Sequence, residues 1–247
     1  MNDLKIPLQE ILAQCDTLFN AEKSAEKGEV LRFWRKKAKE MGDLSGELSL
    51  LSELMGHYRM TGDVSRGLEA VREGTALIEL LQIGGSLSAG TIFLNGATAL
   101  HAFGETDKAL ELYERSYQNY SRHLSCGDER FAGLFNNMAS VYIDKGLFKQ
   151  AEDLYLKALD VLNESRNPMD AAVTCLNLAQ LYRKMGDEAL TDTMVSCAFD
   201  HFDAPGVERG SYYAHTCRKC ASGFGALGCA EMEAELNERA DRYYAGT

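Results

Sequence analysis

Three asparagines, Asn95, Asn137 and Asn177, recur at separations of 42 and 40 residues. Each carboxamide carries a carbonyl acceptor and an NH₂ donor on a short side chain. Set in a row, such groups would hydrogen-bond the backbone of an extended peptide whatever its side chains. A second chemistry joins them toward the C-terminus. Arg183 and Lys184, then His215, Arg218 and Lys219, form a local surplus of positive charge in a chain of formal net charge −11. They would attract an acidic segment or a free carboxylate, arginine through paired hydrogen bonds. The plainer reading of both groups is a solvated polar face.

Two further clusters need weighing. Cys217-x-x-Cys220, with His215 and Cys229 nearby, has the ligand types of a zinc centre, which needs four convergent donors. Buried cysteine also behaves as a small hydrophobe. In the repeat described below, Cys217 and Cys220 stand where an earlier copy has Phe135 and Met138, so core packing is the preferred reading and no metal is expected. Arg32, Arg35, Lys36, Lys37 and Lys39 surround Trp34 and suggest a nucleic-acid patch. The acidic total opposes phosphate binding, which favours a solvated helix face with Trp34 as its core anchor. Catalytic signatures are absent: there is no phosphate loop, no H-E-x-x-H and no nucleophile elbow. The five histidines (57, 101, 123, 201, 215) are dispersed. The expectation is a protein without enzymatic activity or cofactor.

What must position these side chains is a repeat. Glycines recur at Gly62, Gly104, Gly146, Gly186 and Gly228, each between two amphipathic runs, as in FNNMASVYIDKGLFKQAEDLY. Four residues before them stand Tyr58, Leu100, Tyr142, Tyr182 and Phe224; seven before, Met55, Ala97, Ala139, Ala179 and Ala221. Twelve after come Gly74, Ser116, Ala158, Ala198 and Ala240. Five after come Gly67, Ala109 and Ala151, with Thr191 and Glu233 as exceptions. Large apolar and small residues in fixed register predict helix, tight turn, helix, with small side chains where helices meet. Gly84-Gly85-Ser86, Cys126-Gly127-Asp128, Asn167-Pro168 and Ala204-Pro205-Gly206 read as turns between copies.

This pattern resembles the tetratricopeptide repeat, over residues 48 to 244, in a long form similar to that of kinesin light chains and certain bacterial helical regulators. The resemblance implies an all-α fold, a right-handed α-solenoid of antiparallel helix pairs. Residues 1–47 are expected to form a degenerate helical pair without the turn glycine, capping five repeats over 48–247 in one continuous domain. It also implies that one face of each first helix lines a concave binding groove. On that face lie Asn95, Asn136, Asn137, Asn177, Gln180, Arg183, Lys184, His215, Arg218 and Lys219. A similar asparagine ladder lines the repeats of O-linked N-acetylglucosamine transferases, where it holds extended polypeptide.

Composition is consistent with helices: 45% of the 247 residues are hydrophobic and only three are proline. Seven cysteines, an odd number unevenly spaced, argue for reduced thiols. The first residues lack a secretory pattern, and no apolar run reaches the ~18 residues of a membrane span. The expected protein is a cytoplasmic adaptor or regulator that binds a protein or peptide, not nucleic acid or membrane. A homodimeric structural scaffold is the main alternative, and a zinc-binding or enzymatic protein a lesser one.

Overall fold

A computed structural model describes residues 5–21 and 23–245, within which the chain forms twelve α-helices and no strand. They are α1 (Leu8–Asn20), α2 (Ser24–Met41), α3 (Leu44–Thr61), α4 (Val64–Leu80), α5 (Leu87–Ala102), α6 (Thr106–His123), α7 (Arg130–Asp144), α8 (Phe148–Ser165), α9 (Pro168–Met185), α10 (Glu188–Asp200), α11 (Ser211–Ala226) and α12 (Ala230–Ala245). One 3-10 turn, His201–Asp203, follows α10.

Helix ends follow their local chemistry. Asp43, Asp63, Asn167 and Asp187 each accept a hydrogen bond from the backbone N–H three residues on, and Ser86 does the same for Ala89. These caps satisfy N–H groups that a helix start leaves orphaned. All five turn glycines take positive φ, from 69° at Gly62 to 85° at Gly228, where a Cβ is penalised. After each, the next N–H reaches back to the carbonyl five residues before it: Tyr58 (3.0 Å), Leu100 (2.9 Å), Tyr142 (2.8 Å), Tyr182 (3.0 Å) and Phe224 (2.9 Å). The predicted helix pairs are therefore α3/α4, α5/α6, α7/α8, α9/α10 and α11/α12. The structure adds one more glycine turn of the same kind, and Gln82 and Arg166, with φ of 56° and 57°, close two without glycine. Gly42 (φ 71°) ends α2, and the Asp43 N–H bonds the Ala38 carbonyl at 2.9 Å. No such glycine joins α1 to α2, as the sequence implied; the motif instead joins α2 to α3.

The helices gather into two compact units, one ending at His123 and one beginning at Leu124. In the first, α3 packs on both α2 and α4, and α5 packs on α3, α4 and α6. In the second, α9 packs on α8, α10 and α11, and α12 closes on α11. The small register positions are where helices meet. Gly67, Gly74, Ala109, Ser116, Ala151, Ala158, Thr191, Ala198 and Ala240 are all buried. A Cβ on Gly74 would lie 2.6 Å from Met55 Cε, closer than packed atoms approach. Glu233, the large exception, lies against Gly225, where any Cβ would overlap its carboxyl group. The vacancy has moved to the partner helix.

Trp34 departs from expectation. Gly28, Leu31 and Ala38 are the buried residues of α2, while Trp34 is half-buried and meets the exposed Phe33 edge-on. α2 needs no bulky anchor because it lies close to α3: Gly28 brings its backbone against His57, which is 7% exposed. On α12 an apolar stripe forms, with Leu236 and Ala240 buried and Met232 and Tyr243 packed beside them. Arg239 adds a polar clasp, donating to Asp203 Oδ1 and Oδ2 (3.0 and 2.8 Å) and to the Tyr213 hydroxyl (3.1 Å). Hydrogen bonds from Arg239 hold the Asp203 carboxyl below its usual range.

Two predictions follow from burial. The Ser116 hydroxyl is buried without a hydrogen-bond partner at a position held elsewhere by glycine or alanine. Ser116→Ala should therefore raise stability by about 1 kcal/mol, read by urea unfolding. Burial, reinforced by Arg32 and Lys27 against a weaker pull from Asp63, holds His57 below its usual 6.5. The unfolded chain then binds more protons than the folded one below about pH 6.5, so stability is lost as the pH drops through that point. His57→Gln should lose less stability than the parent between pH 7.5 and 5.5 in the same unfolding assay.

Candidate partner-binding site

The first helices of the second unit, α7, α9 and α11, bring several predicted residues together. Asn136 on α7 donates from Nδ2 to Thr174 Oγ1 on α9 (2.9 Å) and to the Ala132 carbonyl one turn earlier (3.0 Å). Asn177 on α9 donates in turn to Asn136 Oδ1 (3.2 Å). Asn137 is half-buried on the same helix as Asn136. Gln180 covers Gly223 of α11, whose Cβ would stand 3.1 Å from Gln180 Nε2. Tyr212 of α11 donates to Asp170 Oδ1 of α9. This hydrogen bond has its own cause and effect: burial and the facing carboxylate both push the phenol's proton release upward.

The amides thus also join one first helix to the next. In the first unit Asn95 behaves alike, donating to Ser52 Oγ on α3 at 2.8 Å. The register that made the asparagines visible in sequence places Asn95 and Asn177 beside the preceding first helix. Their partners Ser52 and Thr174, both buried, were not singled out, because a pairing between copies is invisible until the helices are side by side.

All five predicted cations are exposed. Arg183 pairs with Glu188 across the α9/α10 turn. Arg218 pairs with Asp241 at 2.9 Å and stacks on the Tyr244 ring, 4.5 Å from its centroid. Lys184 and Lys219 make no ion pair among the described residues and keep their charge for solvent or a ligand. His215 shares α11 with Lys219 but stands apart from Cys217 and Cys220, which point into the core. Burial raises both thiols, Cys220 to about 12.

The first unit holds a second polar feature. Arg32, Arg35, Lys36 and Lys39 of α2 face Arg66, Glu69 and Ala70 of α4 over Tyr58, around a cleft of about 380 Å³. Arg35 is spent on Glu47 (3.5 Å) and Glu73, and Arg66 on Asp63 (3.1 Å). Arg32 and Lys39 are exposed and make no ion pair among the described residues. The patch around Trp34 is thus half of a cleft, completed by a helix some thirty residues on.

One further grouping lies in the second unit: Cys175, Cys197 and His201 place their donor atoms within 4.8 Å of one another. In the sequence His201 is one of five dispersed histidines, 26 residues from Cys175.

Among known proteins, residues 130–190 match the model of the tetratricopeptide repeat. No curated protein matches the chain. Among solved structures, BtubC (BKLC) from P. vanneervenii is 18% identical, with a TM-score of 0.55, and the alignment covers 98% of this chain and 92% of that one. The nearly identical TPR-like repeats of a putative kinesin light chain from Podosopora anserina are 17% identical, covering 81% and 95%, with a TM-score of 0.58. Apo RapI is 12% identical, covering 94% and 73%, with a TM-score of 0.61. At these identities the likeness is one of fold. Residues 130–190 are tetratricopeptide repeat, and the helix pairs on either side share the fold of tetratricopeptide-repeat solenoids.

Proposed function

We propose that the chain is a protein-binding adaptor whose second unit holds an extended acidic segment of a partner across α7, α9 and α11. The fold is one that serves protein interaction in general, and fold alone does not choose a ligand. The observation that carries the reading is the run of polar side chains from Asn136 and Asn177 to Gln180, flanked by the exposed, unpaired Lys184 and Lys219. Amides held by neighbours are already ordered, so presenting them to a peptide backbone costs little further side-chain entropy. Lysines with free charge draw an acidic chain toward that row. Arg183 and Arg218 can exchange Glu188 and Asp241 for carboxylates of the ligand, since exposed ion pairs are worth little.

A second placement is favoured by the cleft between α2 and α4, where Arg32 and Lys39 keep unpaired charge in the first unit. Charge reversal separates the two. With a fluorescein-labelled, extended Asp/Glu-rich peptide and anisotropy as readout, Lys184→Glu/Lys219→Glu should weaken binding at least tenfold, and Arg32→Glu/Lys39→Glu should leave it within twofold. The opposite pattern would move the site to the first unit. Unchanged affinity in both variants would sink the acidic-ligand reading. Binding should also weaken with added salt, because exposed charges are screened over about 8 Å at physiological ionic strength.

A further inference from the structure

In three helix pairs the residues eleven before and eleven after the turn glycine lie near one another. In α5/α6 these are Phe93 and Arg115, and the guanidinium lies 4.0 Å from the ring centroid. In α11/α12 they are Cys217 and Arg239, and the arginine's charge counters the upward push of burial on that thiol. In α9/α10 both positions are cysteine, Cys175 and Cys197, with their sulfurs 3.3 Å apart.

The second helix carries a further departure. Eleven after the glycine the other copies have Glu73, Arg115, Lys157 and Arg239, long charged chains throughout; only α10 has a thiol. Fifteen after, they have Leu77, Asn119, Val161 and Tyr243, while this copy has His201. Residues four apart share a helical face. His201 keeps right-handed helical dihedrals (φ −62°, ψ −26°), so its ring stays on the Cys197 track. Its Nε2 stands 3.8 Å from Cys197 Sγ.

We propose that Cys175, Cys197 and His201 form a zinc site in the second unit. Packing explains Cys175 alone, since its position takes large apolar residues in other copies and buried cysteine substitutes for them. It does not explain a second sulfur in place of a charged chain, or an imidazole nitrogen aimed at that sulfur. A disulfide would account for two of the three groups. Around tetrahedral zinc, bond lengths of about 2.3 Å to sulfur and about 2.0 Å to nitrogen set donor separations of roughly 3.5 to 3.8 Å. The two separations through Cys197, 3.3 and 3.8 Å, differ from these by a few tenths of an ångström, and all three donors lie within 4.8 Å of one another. Two thiolates and an imidazole suit zinc over calcium or magnesium. Cys175 is fully buried and Cys197 and His201 half-buried, so the cluster reaches solvent on one side, where water would complete the four ligands. The site would tie α9 to the turn after α10.

The test uses the full chain, stripped with chelator under reducing conditions and reloaded with zinc chloride. Elemental analysis after desalting should give one zinc per chain, and zinc should raise the melting temperature. Cobalt in its place should give thiolate charge-transfer bands and the visible bands of a tetrahedral ion. Cys197→Ser and His201→Asn should each lower zinc affinity tenfold or more, while Cys217→Ala and Cys220→Ala retain one equivalent. His201 is partly exposed, so its variant serves if Cys197→Ser fails to fold. A reduced parent chain that retains under a tenth of an equivalent overturns the proposal. So does full zinc retention in both ligand variants, or loss in the Cys217 and Cys220 variants alone.

Discussion

Each helix pair depends on how closely its two helices can run. Facing helices bury their apolar stripes only when their axes come within about 8–10 Å, and the structure meets that limit twice over. The turn is closed by a backbone hydrogen bond that only a positive-φ residue allows, which is why glycine stands at 62, 104, 146, 186 and 228. Beyond the turn, the sum of side-chain volumes at each crossing must stay small. Where one helix grows, the other shrinks: Phe103 lies against Gly67, Glu233 against Gly225, and Leu176 and Gln180 against Gly223. The conserved quantity is a shared space, and the residue identity on either side is secondary.

That distinction explains what could be read from the chain. The turns within helix pairs were legible because positive φ acts at one residue and favours glycine there; Gln82 and Arg166 take the same conformation without it and left no such mark. The small positions were legible where the same helix always gave way, as at Ala109, Ala151 and Ala158. They were illegible where the vacancy crossed to the partner, as at Gly225. Gly42 was overlooked for a related reason. It stands twenty residues before Gly62, so it falls outside the long period, yet it makes the same turn between α2 and α3. Trp34 misled because size suggests burial, whereas α2 comes too close to α3 at Gly28 to require it.

The asparagines show the same logic at the candidate site. Their recurrence was visible, and so was the face they occupy. Their immediate partners were not, because Ser52 and Thr174 belong to the preceding or following first helix, about forty residues away. The residue nine before the turn glycine meets, on the preceding first helix, the residue ten before its own glycine: Asn95 meets Ser52 and Asn177 meets Asn136. The amides of Asn95 and Asn177 therefore spend donors inside the protein, and what they offer a ligand is their ordered remainder. The cations are exposed, but Arg183 and Arg218 answer to acids on second helices. Lys184 and Lys219 carry the uncommitted charge.

The contact between positions eleven before and eleven after the glycine separates what the repeat supplies from what the individual copy supplies. Repetition fixes the turn and the register of the two helices. It leaves the chemistry open. One copy places a guanidinium over a phenyl ring, another an arginine near a buried thiol, and α9/α10 two sulfurs with an imidazole beside them. A side chain that departs from its register without relieving a clash or filling a void has no packing cause. Cys197 and His201 meet that description together, four residues apart, opposite the one cysteine that packing does explain.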